Sequence, residues 1–276
     1  MTEIKVAIAG ASGETGQSIF NALLEPPDTK FEVTALCRPQ SLQKPIHADL
    51  QKRGVKVVAA DLHGPQEDLV KLLTGSDTPL ANAAKEAGVK RFVQSALMIK
   101  KERNPHDFQK VSLPYTYIDA GWWYQIALPR LLSGRIDHVL SPAHKDLPVS
   151  LDGNVPTALA DLRDVGRYVA KIIADPRTLN KRVHVYEAYT QNKFYDVIER
   201  LSGEKLERQY VSTEGPPFIA ARLFYSWGIR GDDTPENAEY LGYLNRKELY
   251  QDFKYINLED YFRDVLAGKV KGVYQG

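Results

Sequence analysis

The sequence is poor in sulfur, with one cysteine, Cys37, and two methionines in 276 residues. A lone cysteine has no partner for an intrachain disulfide, and no Asn-x-Ser/Thr acceptor occurs. A disulfide-framed secreted domain is therefore not expected, and a reducing, cytoplasmic setting is. Excess charge is lacking as well: 36 Lys and Arg against 35 Asp and Glu leave a net +1. Counterion-release binding needs a basic face, so direct nucleic-acid binding is not expected. No window approaches 18 uninterrupted apolar residues, and Met1 to Lys5 runs into an apolar strand without a signal-peptide pattern. No membrane segment is expected. The six histidines are scattered, with no His-Glu-x-x-His or Cys-x-x-Cys spacing, so no metal site is expected either. Small molecules remain as the natural partners.

What is present is a core-forming composition, 43% hydrophobic, with strand and helix signals in alternation. Lys5–Ala9 reads as a short, nearly all-apolar buried strand, and Gln17–Leu24 as a helix stopped by Pro26-Pro27. Phe31–Cys37 and Lys56–Ala60 give the second and third strands, and Glu67–Leu73 a helix. Pro79–Ala87 gives a second helix with no strand between the two. Arg91–Gln94 and Tyr115–Asp119 are further strands, followed by a helix starting near Trp122. Asp161–Ile173 is an amphipathic helix, and Thr190 caps another that Gly203 stops. The fold class is α/β, a doubly wound parallel sheet of Rossmann type with a smaller C-terminal α+β lobe. Residues 1–134 with 161–174 form the first domain; 135–160 with 175–276 form the lobe.

The most informative stretch is Gly10-Ala11-Ser12-Gly13-Glu14-Thr15-Gly16. Three glycines at this spacing carry little weight alone, but here they link a strand to a helix. The first allows the tight turn, the second lets backbone approach a pyrophosphate, and the third lets the helix pack closely. The helix N-terminus then offers N–H groups and partial positive charge to phosphate. Ser12 and Thr15 lie within this candidate site. The second strand ends in Leu36-Cys37-Arg38-Pro39, with an arginine where NAD-selective proteins place an acid. A guanidinium suits a 2′-phosphate by charge and shape, so NADP(H) is favoured, with Lys44 as a second cation. Asp61, after the third strand, completes the cofactor set.

These residues resemble the NmrA-like, isoflavone-reductase-like group of atypical short-chain dehydrogenase/reductases, nearest to its fungal members. The resemblance rests on the glycine turn with Arg38, Ala87-Gly88-Val89-Lys90-Arg91-Phe92-Val93, Leu113-Pro114-Tyr115-Thr116-Tyr117-Ile118, Gly121-Trp122-Trp123-Tyr124, Asp161-Leu162-Arg163-Asp164-Val165-Gly166-Arg167 and Ala174–Asn180. It covers nearly the whole chain in order. It implies an NADPH-binding Rossmann domain, a C-terminal substrate lobe, and hydride transfer to a phenylpropanoid-type aromatic molecule. It equally allows a non-catalytic NADP(H) sensor that binds a regulatory protein. Trp122, Trp123 and Tyr124 become candidates for an aromatic pocket or for core packing. Counting back from Leu113, the family's active-site lysine falls on Lys101, whose ammonium would donate a proton or steady negative charge. Pro105 opposes a helix through Lys101, which would then sit in a loop. The Tyr-x-x-x-Lys pairs Tyr189/Lys193 and Tyr250/Lys254 are discounted as chance.

Against the family pattern, a fourth strand is missing between Asp77 and Thr78, along with most of a loop between Ser95 and Lys100. Lost sheet partners cost about 1–3 kcal/mol for each buried unsatisfied group. Either the Phe92 strand closes up beside the first strand, or the chain is a shortened variant with impaired cofactor binding and turnover.

Overall fold

The computed structural model describes residues 3–25, 29–61, 80–96, 112–142, 144, 146, 148–211 and 225–275. The chain divides into two compact units. The first comprises Met1–Gln94, Lys101–Ile118 and Val165–Arg182; the second, Ser95–Lys100, Asp119–Asp164 and Val183–Gly276. The division falls between Ile118 and Asp119 rather than near Gly134, because Tyr124 to Leu140 pack into the core formed with later residues.

In the first unit, β1 (Ile4–Ala9), β2 (Phe31–Cys37) and β3 (Lys56–Ala59) form a parallel sheet in the order β1-β2-β3. The registers run from Ile4 opposite Phe31 to Ala9 opposite Leu36, and from Thr34 opposite Lys56 to Cys37 opposite Ala59. Helix α1 (Glu14–Leu24) buries Gly16, Phe20 and Leu23, spaced i, i+4 and i+7 along one stripe. Phe20 and Leu23 share a core with Val33, Ala35, Val55 and Leu50 of α2 (Pro45–Lys52).

The expected burial of β1 is not met. Lys5, Ala7 and Ala9 are exposed, and Ile4, Val6 and Ile8 are only half-buried. Among the described residues β1 has one hydrogen-bonded neighbour, β2, and ends this three-stranded sheet. Its open face carries a cross-strand ion pair, Lys5 with Glu32 at 2.9 Å, of the kind that belongs in water.

After α3 (Leu80–Glu86), the Phe92 strand, β4 (Phe92–Ala96), does not close up beside β1. It is hydrogen-bonded to β5 (Tyr115–Asp119), which in turn neighbours β9 (Lys181–His184), in a different sheet. Arg91, just before β4, donates to the carbonyls of Ile172 at 2.6 Å and Asp175 at 3.0 Å and to Thr178 Oγ1 at 3.0 Å. It thereby satisfies backbone oxygens at the end of α4 (Leu162–Ala174), which α-helical geometry leaves unpaired. The proposed helix Glu67–Leu73, the junction Asp77-Thr78, Lys101 and Pro105 lie outside the described residues.

In the second unit, β6 (Trp122–Trp123) pairs in parallel with β8 (Pro156–Ala160), which pairs antiparallel with β10 (Glu187–Thr190). The helix expected near Trp122 therefore begins at Tyr124, after a short strand. A second pair joins β7 (Val149–Ser150) to β11 (Tyr210–Val211), and the end of β9 pairs with β12 (Leu244–Asn245). Helix α5 (Gln191–Ser202) is capped as expected: Thr190 accepts from the Lys193 N–H at 3.1 Å, and Gly203 closes the helix at φ +74°. Helices α6 (Pro235–Tyr240) and α7 (Leu258–Leu266) follow, and α7 adds Leu258, Tyr261, Phe262 and Val265 to the core around Tyr124, Ile136 and Ile198. Among the described residues no helix is long and apolar enough to cross a membrane, and no cluster of His, Cys, Asp and Glu could hold a metal ion.

Candidate cofactor turn and aromatic pocket

The glycine turn closes the carboxyl end of β1. Gly10 sits at φ +84°, where a side chain would be strained, and its carbonyl accepts from the Gly13 N–H at 3.0 Å. A Cβ on Gly16 would lie 2.4 Å from the Gly10 oxygen, so only glycine lets α1 start this close to the turn. Gly13 takes the cap position of α1, and no side chain caps the helix there. Gly10 and Gly13 are exposed, and Ser12 and Thr15 half-buried. This is a cradle that an outside anion can enter.

The parallel register brings the other cofactor candidates to the same end of the sheet. Ala9 faces Leu36 and Cys37 faces Ala59, so Gly10, Arg38 and Asp61 emerge side by side from successive strand ends. Arg38 is exposed and makes no ion pair among the described residues. Asp61 is exposed and follows Ala60, whose N–H donates to the Cys37 carbonyl at 2.8 Å. Lys44 takes the cap position of α2 and is exposed. Cys37 is buried, its Sγ 3.5 Å from the Val58 carbonyl, and burial pushes its thiol up. A reactive thiolate has no place there.

The second unit holds a partly open pocket of about 570 Å³ including its mouth. Trp122, Leu159, Tyr189, Phe194, Tyr195 and Trp227 form most of its wall. Trp122 and Trp227 meet edge to face, with ring centroids 4.4 Å apart. The polar groups around it are largely engaged. Gln191 accepts from the Ser150 N–H at 2.8 Å and donates to the Pro148 carbonyl at 3.0 Å, and Thr190 serves as the α5 cap. Such a lining suits a flat apolar guest held by few hydrogen bonds.

Of the three residues proposed for an aromatic pocket, only Trp122 lines this one. Trp123, its neighbour on the strand, must point to the opposite face; it is 4% exposed and stacks on Tyr274. Tyr124 is fully buried in the core against Tyr189 and Tyr261. The chain signals missed Tyr189, Phe194, Tyr195 and Trp227. Tyr189 belonged to a discounted Tyr-x-x-x-Lys pair. Lys193 Nζ in fact lies over the Tyr189 ring, 5.7 Å from its centroid, and the Tyr189 hydroxyl accepts from the Leu258 N–H at 3.5 Å. The pair thus packs as cation and ring, not as an acid–base couple.

Comparison with known proteins bears on both sites. The sequence profile described as the NmrA-like family matches residues 2–79 and 76–262. The chain belongs to the NmrA-like family. Among curated relatives, asnovolin J 5′,6′-dehydrogenase nvfM of Aspergillus novofumigatus is 47% identical over 314 positions, covering 96% of each chain. Phenylcoumaran benzylic ether reductase TP7 of Nicotiana tabacum is 25% identical, covering 93% of this chain and 97% of its own. Among solved structures, the binary complex of Vitis vinifera leucoanthocyanidin reductase with NADPH superposes with a TM-score of 0.74 at 21% identity, covering 95% of this chain and 99% of that one. The fold of this NmrA-like chain is therefore that of the reductase group.

The matches also bear on the strand expected between Asp77 and Thr78. The family match to this NmrA-like chain breaks into two stretches at 76–79, where the sequence passes from helix signal to helix signal without a strand. The alignment to the Aspergillus relative, at 314 positions, is longer than the chain's own 276 residues, so that relative carries residues with no counterpart here.

Proposed function

We propose that this chain is an NADP(H)-dependent oxidoreductase-like protein that transfers hydride to an aromatic, phenylpropanoid-type small molecule. The observation that carries the reading is the row at the sheet's carboxyl end: a glycine cradle at an uncapped helix start, with an exposed arginine on the next strand. The cradle fits a pyrophosphate and Arg38 fits a 2′-phosphate. Bound NADPH supplies the hydride; the protein holds its phosphates and, in the second unit, offers an aromatic pocket to the acceptor. The NADPH complex of the grape reductase and the substrate class named for the tobacco relative support this assignment. Lys101 is proposed as the proton donor on the strength of the family position.

Calorimetric titration with NADPH and NADH, followed by NADPH oxidation with a panel of aromatic enones and aldehydes, tests the reading. Preference for NADPH together with turnover is the expected result. Lys101→Ala is expected to abolish turnover and spare binding; an unaffected variant would remove the role of Lys101 alone. A second reading, a non-catalytic NADP(H) sensor acting on a regulatory protein, draws support from the exposed side chains of β1, which has one sheet neighbour among the described residues. NADPH binding with no oxidation of any acceptor would favour it.

A further inference from the structure

Two carboxyl groups lie behind the pocket that the proposed chemistry does not use. Asp119 ends β5, and Asp233 sits between the helical turn Tyr225–Ile229 and α6; they are 0% and 1% exposed. Each has one oxygen on a backbone N–H: Asp119 Oδ1 accepts from Gly121 at 3.1 Å, and Asp233 Oδ2 from Ala158 at 3.1 Å. The other oxygen of each has no hydrogen-bond partner among the described residues. An ionised carboxylate in such a place is costly, because both oxygens need donors. A proton removes the charge and turns one orphan acceptor into a donor.

The segments these carboxyls tether are those that wall the pocket. Gly121 directly precedes Trp122, and it lies so close to Ala158 that a Cβ there would be 2.6 Å from the Ala158 carbonyl oxygen. Thr157 and Leu159, on either side of Ala158, line the pocket, as do Trp227 and Gly228. The loop from Trp227 to Asp233 is tied to itself: Gly231 N–H bonds to the Trp227 carbonyl at 3.2 Å, Asp232 N–H to the Ser226 carbonyl at 2.9 Å, and Ser226 Oγ to Asp232 at 2.7 Å.

We propose that Asp119 and Asp233 are positioning residues, each holding its own proton, that clamp the Trp122, Ala158 and Trp227 segments into the pocket wall. The wall is fixed while both carboxyls are neutral and loosens when they ionise. That the pocket receives substrate rests on the proposed function; the clamp itself does not.

The surroundings agree. Burial raises both carboxyls to about 7, and the charge of Asp233 adds to the effect on Asp119. Tyr186, between β9 and β10, is pushed up by burial first and then by both carboxyls, its hydroxyl 3.5 Å from the Thr234 carbonyl. Tyr243 and Glu236 of α6 act on Tyr186 in turn. His184 of β9 packs on Tyr186 with ring centroids 4.9 Å apart and is pushed down to about 4 by burial and by Arg246 and Lys247. Both of these cations pair with Glu187. Asp232 raises Asp233 and is itself paired with Arg230. Among these groups, the carboxyl pair is the one that changes charge near pH 7.

The chain's three tryptophans, Trp122, Trp123 and Trp227, all lie in this unit, so intrinsic fluorescence reads the wall directly and needs no cofactor. The wild-type protein is expected to show one emission transition with a midpoint near pH 7. Asp119→Asn and Asp233→Asn each remove one buried carboxyl and its charge from beside the other, and the midpoint is expected to move to lower pH. A wild-type trace that is flat from about pH 6 to about pH 8, or an unchanged midpoint in both variants, would overturn the proposal. Should the variants not fold, carboxyl ¹³C spectra of Asp-labelled wild-type protein decide: two aspartates titrating together near pH 7 support the clamp, and all aspartates titrating in the ordinary range overturn it. Failure of the reductase reading would show as absent NADPH oxidation and would leave these transitions untouched.

Discussion

Arg38 owes its place to register rather than to contacts. It leaves β2 one step beyond Cys37, beside the glycine turn, exposed and without an ion pair among the described residues, so its charge stands available to a ligand. A charge-assisted bond of this kind contributes about 1.5–3 kcal/mol. Arg38→Glu is therefore expected to weaken NADPH binding about 10- to 100-fold and to leave NADH binding nearly unchanged, as titration of both cofactors will show. An equal loss for both would place Arg38 in the general anion field instead. His184 offers a second test at this scale. Both its ring nitrogens are buried without hydrogen-bond partners among the described residues, and burial holds it neutral down to about pH 4. The unfolded chain takes up that proton near pH 6.5, so the native state binds fewer protons between pH 6.5 and 4 and loses stability as pH falls through that window. The carboxyl pair acts with the opposite sign there, its folded form binding more protons than the unfolded chain, so the comparison must be between variants. His184→Gln is expected to lose about 3 kcal/mol less than wild type on acidification from pH 7 to pH 4, measured as the urea midpoint at each pH. Parallel losses would show that the imidazole is already solvated.

Elements were legible where their signals are local. β2 and β5 have the bounds their apolar runs announce, and α5 begins and ends on the Thr190 cap and the Gly203 stop. The glycine turn was equally readable, since φ +84° at Gly10 and the absent Cβ at Gly16 are demands of the turn itself. The pocket was not. Its wall joins Trp122, Tyr189 and Trp227, far apart in the chain, and strand alternation turned Trp123 away while the core took Tyr124. Nor does one aspartate at a strand end announce a second one across the fold. Helix packing shows the same divide between local and distant causes. Gly166 reads as an ordinary member of an amphipathic helix, yet its N–H donates to Ser18 Oγ of α1 at 3.1 Å, and a Cβ would lie 2.1 Å from the Ser18 carbonyl oxygen. The blocking atom is backbone, so the helices must part. Gly166→Ala is expected to cost about 1–3 kcal/mol and to lower Tm by several degrees, even though alanine favours a helix. An unchanged or raised Tm would mean that α4 and α1 can separate freely.

The whole molecule carries the consequence of its length. A parallel sheet distributes rigidity through strands held on both sides, and the phosphate turn ordinarily profits because it grows from such a strand. Here β1 has a single neighbour among the described residues, three of its side chains are exposed, and the Phe92 strand belongs to another sheet. The family match breaks at 76–79, between the third strand and the Phe92 strand, and the Aspergillus relative carries residues with no counterpart here. A turn on an edge strand opens locally at less cost than one on a central strand, and ligand binding must then supply the missing order. Cofactor affinity is thus the property most exposed to that difference. Inserting the relative's unmatched segment between Asp77 and Thr78 is expected to tighten NADPH binding about tenfold or more, at 1.4 kcal/mol for each factor of ten, and to raise Tm. The same segment placed in the exposed turn at Asp152 should do neither. Submicromolar NADPH binding by the unaltered chain, matched by the chimera, would show instead that β1 and its turn are rigid without a second neighbour.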